Sequence, residues 1–329
     1  MYIGKLMNHY FKILTFFCFM TLPLSLFSES LTKVKIGVLQ YGSVNWELDL
    51  IKTLELDKNH NFDLQIVQLA SKNAAAVALQ GKAVDMIVTD WFWVSRQRSQ
   101  GRMFSFFPHS MAAGGLIVKS DSGIKKLEDL KGKKIGIAGG QVDKSWLIFR
   151  AYYKKKYGID LIKETEQIFG APPLLNKKIQ QGSFDAILTY WPYQARLVSE
   201  GFERIINIKD IISNLGIPKG LPIIGWVFRD EYSENNQELM NNFLKASEEA
   251  KRLMFESDEI WESIKPTMKA ENNTTFINLR NIYREGIPQK FSEEEVNGAA
   301  QLFETLGEIG GKELVGNSSK MASGTFWVK

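Results

Sequence analysis

Six of the chain's eight tryptophans fall in short segments that read as the ends of buried strands. They are Trp46 in QYGSVNWE, Trp91 and Trp93 in TDWFW, Trp146 in GGQVDKSW, Trp191 in TYWPY and Trp226 in IGWVF. An aromatic ring with one polar handle can stack on a flat ligand or cage a cation, and it packs a core equally well. Polar groups stand among these rings. Asp90 closes an apolar run, where a carboxylate needs a partner: a ligand amine or amide, or an internal Lys or Arg. Asp143 or Ser145 can cap a helix opened by Asp143-Lys144-Ser145, and Gly139 and Gly140 leave backbone N–H groups open to an anion. Two ligand chemistries follow. An anion would want helix N-termini and Lys144; a heteroaromatic amine would want Asp90, Glu47 and the tryptophans, and the aromatic excess favours the amine. The candidate ligand-binding residues are Tyr41, Asn45, Trp46, Asp90, Trp91, Trp93, Gly140, Asp143, Lys144, Ser145, Tyr190, Trp191 and Trp226.

Catalytic sets lack their parts. AGGQVDKS departs from the phosphate loop G-x-x-x-x-G-K-[ST], with Ala138 and Asp143 in place of its two glycines, and an acid there repels phosphate. No G-x-G-x-x-G and no H-E-x-x-H occur. Beyond residue 30 the only histidines are His60 and His109, and the one cysteine, Cys18, precedes them. A triad, a Cys/His nucleophile or a metal site is therefore not expected, and no cofactor is called for.

The elements that must position these residues come in two copies. DMIVTDWFWVSRQRSQG (85–101) and DAILTYWPYQARLVSEG (185–201) share Asp, Ile, Thr, Trp, Arg and Gly at a spacing of 100 residues. KIGVLQYG at Lys35 matches KIGIAGGQ at Lys134 at a spacing of 99. Each copy reads strand, helix, strand, helix, strand, helix. The strands are 34–40, 62–69 and 84–90, then 134–138, 166–169 and 184–190. Short apolar runs such as MIVT and AILT suit strands covered on both faces, and their alternation with helical periods implies parallel sheets. A solenoid unit has roughly 20–50 residues, so this longer period describes two similar α/β lobes. The chain would cross out through MAAGGLIVKSDS (111–122) and back through LPIIGWVFRDEY (221–232), with helical stretches at 234–256, 258–268, 274–285 and 293–309. Lobe 1 would then comprise 31–116 and 221–329, with 117–220 inserted as lobe 2.

Net charge is +4, with 44% hydrophobic and 24% charged residues, which is globular composition with no nucleic-acid footprint. The run Lys154-Lys155-Lys156 reads as a solvated helix face. Residues 1–30 read as a secretory signal: Lys5 and Lys12, an apolar run over 13–27, then Ser28 and Ser30 at positions −3 and −1. The run contains Pro23 and falls short of the ~20 residues a spanning helix needs. The exported chain would be nearly neutral and free of cysteine.

Taken together, the leader, the two lobes with two crossovers, and the helical C-terminus resemble bacterial ABC-transporter substrate-binding proteins of the type II periplasmic binding fold. The text Leu127, Asp129, Leu130, Lys131, Gly132, Lys133, Ile135 and Gly136 carries that resemblance, which extends over 31–329. Within the fold the chain is similar to the nitrate/sulfonate/taurine and thiamine-pyrimidine-precursor group. The resemblance implies a periplasmic monomer that captures a small molecule between hinged lobes and delivers it to an inner-membrane ABC permease. Trp91 and Trp191 would face each other across one ligand, because open parallel sheets bind ligands at the carboxyl ends of their strands. GGQVDKSW (139–146) and GAPPLLN (170–176) also resemble a subgroup associated with periplasmic alcohol oxidation, which would make the chain an accessory or sensor without a permease. A third class, an enzyme like the pyrimidine synthase of thiamine biosynthesis, needs histidines and a cysteine-rich motif, and this chain has no such cysteines. Amino-terminal sequencing of the protein from a periplasmic fraction should begin at Leu31 or within a few residues of it; intact Met1 on cytoplasmic protein would contradict the export reading.

Overall fold

The computed structural model describes residues 31–40, 42–218 and 220–327. The signal reading of 1–30 and the candidate Tyr41 lie outside the described residues.

The repeated aspartates explain how each copy is built. The Asp85 carboxylate accepts the Lys35 backbone N–H at 2.8 Å, and the Asp185 carboxylate accepts that of Lys134 at 2.8 Å. Each aspartate's own N–H donates to the carbonyl of the same lysine. One residue type thus ties the third strand of each copy to the first by two hydrogen bonds. It is a folding constraint, and it recurs because the unit recurs.

Ten strands form two five-stranded sheets. The first contains β1 (Lys33–Leu39), β2 (Asp63–Leu69), β3 (Met86–Asp90), β4 (Phe104–Ser110) and β10 (Ile224–Arg229), in the order β2-β1-β3-β10-β4. The second contains β5 (Gly115–Val118), β6 (Lys134–Ala138), β7 (Glu166–Gly170), β8 (Ala186–Thr189) and β9 (Glu203–Asn207), in the order β7-β6-β8-β5-β9. The layouts match strand for strand, as the repeat requires. The expectation of purely parallel sheets needs correction. β10 runs antiparallel to β3 and β4, and β5 runs antiparallel to β8 and β9. These are the two crossing strands. Each enters its sheet from the carboxyl ends of its neighbours, so it must run against them.

Two further strands carried no clear signal. β4, FSFFPHS, contains Pro108, which is tolerated because β4 is an edge strand with a register shift near the proline. β9, ERIIN, lies at the edge of the second sheet. At the crossings the backbones approach too closely for any side chain. A Cβ on Gly114 would fall 1.6 Å from the Thr189 carbonyl oxygen, and one on Gly225 would fall 2.2 Å from that of Phe107.

The helices are α1 (Val44–Thr53), α2 (Leu56–Asn59), α3 (Lys72–Gln80), α4 (Trp91–Arg98), α5 (Lys144–Tyr157), α6 (Pro172–Gln180), α7 (Trp191–Ser199) and α8 (Ile208–Asn214). After the second crossing come α9 (Asp230–Asn235), α10 (Gln237–Glu256), α11 (Glu259–Met268), α12 (Asn273–Glu285) and α13 (Glu293–Val315). One face of the first sheet packs on α1, α10, α11 and α12 through Val34, Ile36, Trp226, Phe243 and Trp261. The outer face of the second sheet packs on α6 and α7 through Ile117, Ile179 and Ile187. A larger core joins the remaining faces of both sheets, with Phe303 and Leu306 of α13 among Ile87, Phe106, Ile135 and Leu188. Helix α12 packs along α7, and α13 touches both α4 and α5, so the C-terminal helices bridge the two sheets.

Beneath α1 lies a buried charged cluster. Glu47 is fully buried; its carboxylate accepts from the Ser247 hydroxyl at 2.5 Å and from the Tyr283 hydroxyl at 3.2 Å. Lys251 Nζ stands 3.6 Å from it and His109 Nδ1 3.4 Å. Burial pushes the Glu47 carboxyl above its usual range, only partly offset by Lys251, Ser247 and Tyr283. Burial, with the Lys251 charge, holds His109 well below its ordinary value, which keeps it neutral at pH 7. Both Glu47 oxygens are therefore engaged internally rather than free for a ligand amine. Removing one partner of a buried pair strands the other charge, so Lys251→Met should lose about 3–5 kcal/mol in urea unfolding. Adding Glu47→Gln should recover most of that loss. An unchanged unfolding midpoint in the single variant would contradict the pairing.

Candidate functional site

The carboxyl ends of β3, β6 and β8 meet in one polar cluster between the two sheets. Asp90 ends β3 and caps α4, one oxygen accepting the Trp93 N–H at 3.0 Å. Its other oxygen pairs with Lys144 Nζ, at the start of α5, at 2.9 Å. Burial raises the Asp90 pKa, but the charges of Lys144 and Lys72 and the bonds from Lys144 and Trp93 outweigh it, holding the carboxyl below its usual range. Asp143 caps α5 by accepting the Ser145 N–H at 3.0 Å, and its second oxygen accepts the Tyr190 hydroxyl at 2.8 Å. Here burial wins, and the Asp143 carboxyl lies above its usual range. Burial and the neighbouring Asp143 push the Tyr190 phenol well up, so it is a neutral donor. Lys72, at the start of α3, places Nζ 5.9 Å from the centroid of the Tyr190 ring. Two carboxylates and two ammonium groups thus lie close together. The N-termini of α4 and α5 are filled by the protein's own acids, which disfavours a ligand anion at either, whereas α7, which follows Tyr190, has no side-chain cap.

The tryptophans are distributed otherwise than their spacing implied. Trp91 is fully buried in the shared core, stacked on Phe92 at 3.9 Å, and its indole N–H donates to the Pro222 carbonyl at 3.0 Å. Trp191 is packed edge-on against Trp46 at 5.6 Å, in the core of the other sheet face. The two repeated tryptophans therefore occupy different cores and do not flank one ligand. Their shared position at the first turn of a helix reflects the repeated unit, while the C-terminal residues Phe303 and Phe326 capture Trp91 alone. Trp226 is likewise fully buried, between Phe243 and His109, each at 5.0 Å. Trp93 is half-buried beside Phe104, and Trp146 is a core residue beside Phe149 and Phe169.

Of the other candidates, Asn45 ties the turn after β1, donating to the carbonyls of Leu39 and Gly42 at 2.9 and 2.8 Å and accepting from Gln68. Gly140 is exposed, with open space where a side chain would be. The structure brings Asp90, Asp143, Lys144, Ser145 and Tyr190 together, and Trp46 and Trp191 meet nearby across the two sheets. Lys72 was missed by the sequence reading. Its signal was a lysine at the first helical position after β2, next to the Ser71 cap. Thr189 and Gln194 were also missed: both are buried, with side-chain polar atoms that lack a partner. Among the described residues no group of three or more His, Cys, Asp and Glu could hold a metal. A surface hollow of about 420 Å³ lined by Gln80, Arg102, Met103, Phe104, Arg229 and Glu231 lies at the opposite end of the first sheet, where β3 and β4 begin.

The family described as NMT1/THI5 like matches residues 57–259, more than half of the chain. The chain belongs to the NMT1/THI5-like family. Solved structures agree on the fold of this family member. The periplasmic aliphatic sulphonate binding protein of Escherichia coli superposes with a TM-score of 0.72 at 17% identity, covering 91% of this chain and 93% of that one. The alkanesulfonate-binding protein of Xanthomonas axonopodis pv. citri, bound to MOPS, gives 0.67 at 14% identity over 91% and 99%. The periplasmic nitrate-binding protein of Synechocystis PCC 6803 gives 0.55 at 13% identity over 75% and 69%. Identities this low establish a shared two-lobe periplasmic-binding fold of type II and nothing about the ligand. No curated protein matches the chain.

The two carboxylates should respond oppositely to pH. Asp143 is held above its ordinary range, so its charge opposes folding at neutral pH, an opposition relieved as pH falls through the raised value. Asp143→Asn still caps α5 and still accepts from Tyr190, so it should be at least as stable as wild type at pH 7 in thermal denaturation. Asp90 is held low, so its stabilisation is present above the ordinary carboxylate pKa of about 3.9 and is lost as pH falls through the folded value. Asp90→Asn should be less stable than wild type at pH 7, with the gap closing only in strongly acid solution. A stability loss in Asp143→Asn equal to that in Asp90→Asn would contradict this assignment.

Proposed function

We propose that this NMT1/THI5-like chain is an exported solute-binding protein that takes a small, amine-bearing molecule at the polar cluster between its lobes and delivers it to an inner-membrane ABC permease. The lobes would be residues 31–116 with 221–329, and 117–220, closing by a hinge at the two crossings. The observation that carries the amine reading is the Lys144 ammonium on Asp90 at 2.9 Å, at a carboxylate already kept ionised by its surroundings. A ligand amine placed there would meet the same acceptor. Tyr190 supplies an aromatic ring beside it, whereas Trp46 and Trp191 are buried against each other, and Trp91 and Trp191 form no slot.

Against a sulfonate or nitrate, the α4 and α5 N-termini are already occupied by Asp90 and Asp143. The E. coli and Synechocystis proteins are named as binding proteins, which favours a solute-binding role over an enzyme. Asp90 and Asp143 each act as a helix cap and ion-pair or hydrogen-bond acceptor, which suits binding rather than proton transfer. Action as a monomer is part of the same proposal.

A metabolite screen by melting temperature, followed by calorimetry, tests the reading. A charged hydrogen bond contributes about 1.5–3 kcal/mol, so Asp90→Asn should weaken an amine ligand roughly 10- to 150-fold. A sulfonate or nitrate that binds wild type and binds Asp90→Asn as well or better would overturn the amine reading.

A further inference from the structure

The pair between Asp90 and Lys144 has a second property, which rests on the reading of this cluster as the ligand site. Asp90 has two oxygens. One is committed to the Trp93 N–H as the cap of α4, and the other is taken by Lys144 Nζ. The Asp90 side chain is 7% exposed, so solvent does not offer a ligand amine another approach to the carboxylate. The two partners come from different sheets: Asp90 is the last residue of β3, and Lys144 is the first residue of the helix after β6. Their 2.9 Å separation exists only while the two strand ends are held together. Lys72 reinforces the contact from the first sheet's side, 5.9 Å from the ring of Tyr190, whose hydroxyl is bonded to Asp143.

We infer that Lys144 is an internal ligand: its ammonium fills the amine subsite on Asp90, draws the two sheets together in the absence of solute, and must be displaced before a solute amine can bind. Lys144 is then a specificity-determining residue. A cationic solute replaces the ammonium it expels, whereas a neutral or anionic solute leaves Asp90 buried without a partner, a costly state for a carboxylate. Binding is also reduced by the fraction of molecules in which Lys144 has let go, since only those can accept a solute.

Small-angle scattering of the purified, unliganded chain tests closure. Because Asp90 also caps α4, the variants are made at Lys144, with circular dichroism to show that each is folded. Wild type and Lys144→Arg should have a radius of gyration near the roughly 20 Å of a compact chain of this length. Lys144→Met should be larger and Lys144→Glu larger still, through repulsion from Asp90.

The subsite is tested with n-propylammonium, a short copy of the missing side chain. In Lys144→Ala it should raise the melting temperature and restore the compact radius, while equal sodium chloride does neither. Its apparent affinity should be higher than in wild type, where Lys144 competes. Equal radii in wild type, Lys144→Met and Lys144→Glu overturn the closure, and the Asp90→Asn calorimetry described above still decides the amine reading separately. Expanded Lys144 variants with no propylammonium response in Lys144→Ala overturn the internal ligand.

Discussion

Asp90 stands where an ionised group is hardest to keep, at the end of an interior strand with only 6% of the residue exposed. A carboxylate there must be matched on both oxygens or become neutral. One oxygen is matched locally, by the first turn of α4, and that bond fixes where β3 stops and the helix begins. The other is matched by Lys144 from the second sheet. A local rule about helix caps and a global contact between two sheets therefore share a single side chain. Asp143 repeats the arrangement with a different outcome. It caps α5, but its second oxygen receives a neutral phenol rather than a cation, so burial prevails and its carboxyl is held high.

The rest of the fold brings these two caps face to face. Identical sheet orders place β3 and β8 at corresponding positions, each next to a strand that has crossed from the other sheet, and Tyr190, just after β8, bonds Asp143 from beyond the end of β6. The crossings demand glycine at Gly114 and Gly225, where backbones touch. Helices α12 and α13 then bind both halves, and a common core runs between them. Closure at the polar cluster is thus set against a continuous apolar support, while the charged group at Glu47 is sealed beneath α1 with its own partners.

Much of this was legible in the sequence, for identifiable reasons. The 100-residue repeat exposed two similar α/β units because its Asp, Ile and Gly residues serve the unit itself, as the bonds of Asp85 to Lys35 and Asp185 to Lys134 illustrate. Helices after residue 230 were legible from their apolar period. Strand direction was not, because a crossing strand such as IGWVFR has the same composition whichever way it runs. The polar residues of the cluster were also legible, since Asp90 and the Asp143-Lys144-Ser145 run sit at strand ends where caps are needed. The tryptophans misled. A buried ring at a strand end looks the same in sequence whether its neighbour is a ligand or Phe303, and Trp91 owes its burial to a helix more than 200 residues away. The place of Lys72 at the helix start was legible, but its partner was not, because Tyr190 lies on the other sheet.

The central claim is that Asp90 is the acceptor for the solute. A crystal structure of the chain with whatever small molecule copurifies with it tests that claim most directly. The account predicts density between the β3–α4 and β6–α5 junctions, with a ligand nitrogen in hydrogen-bond contact with Asp90 and Lys144 withdrawn from it. A bound solute lying elsewhere, with Lys144 still 2.9 Å from Asp90, would contradict it.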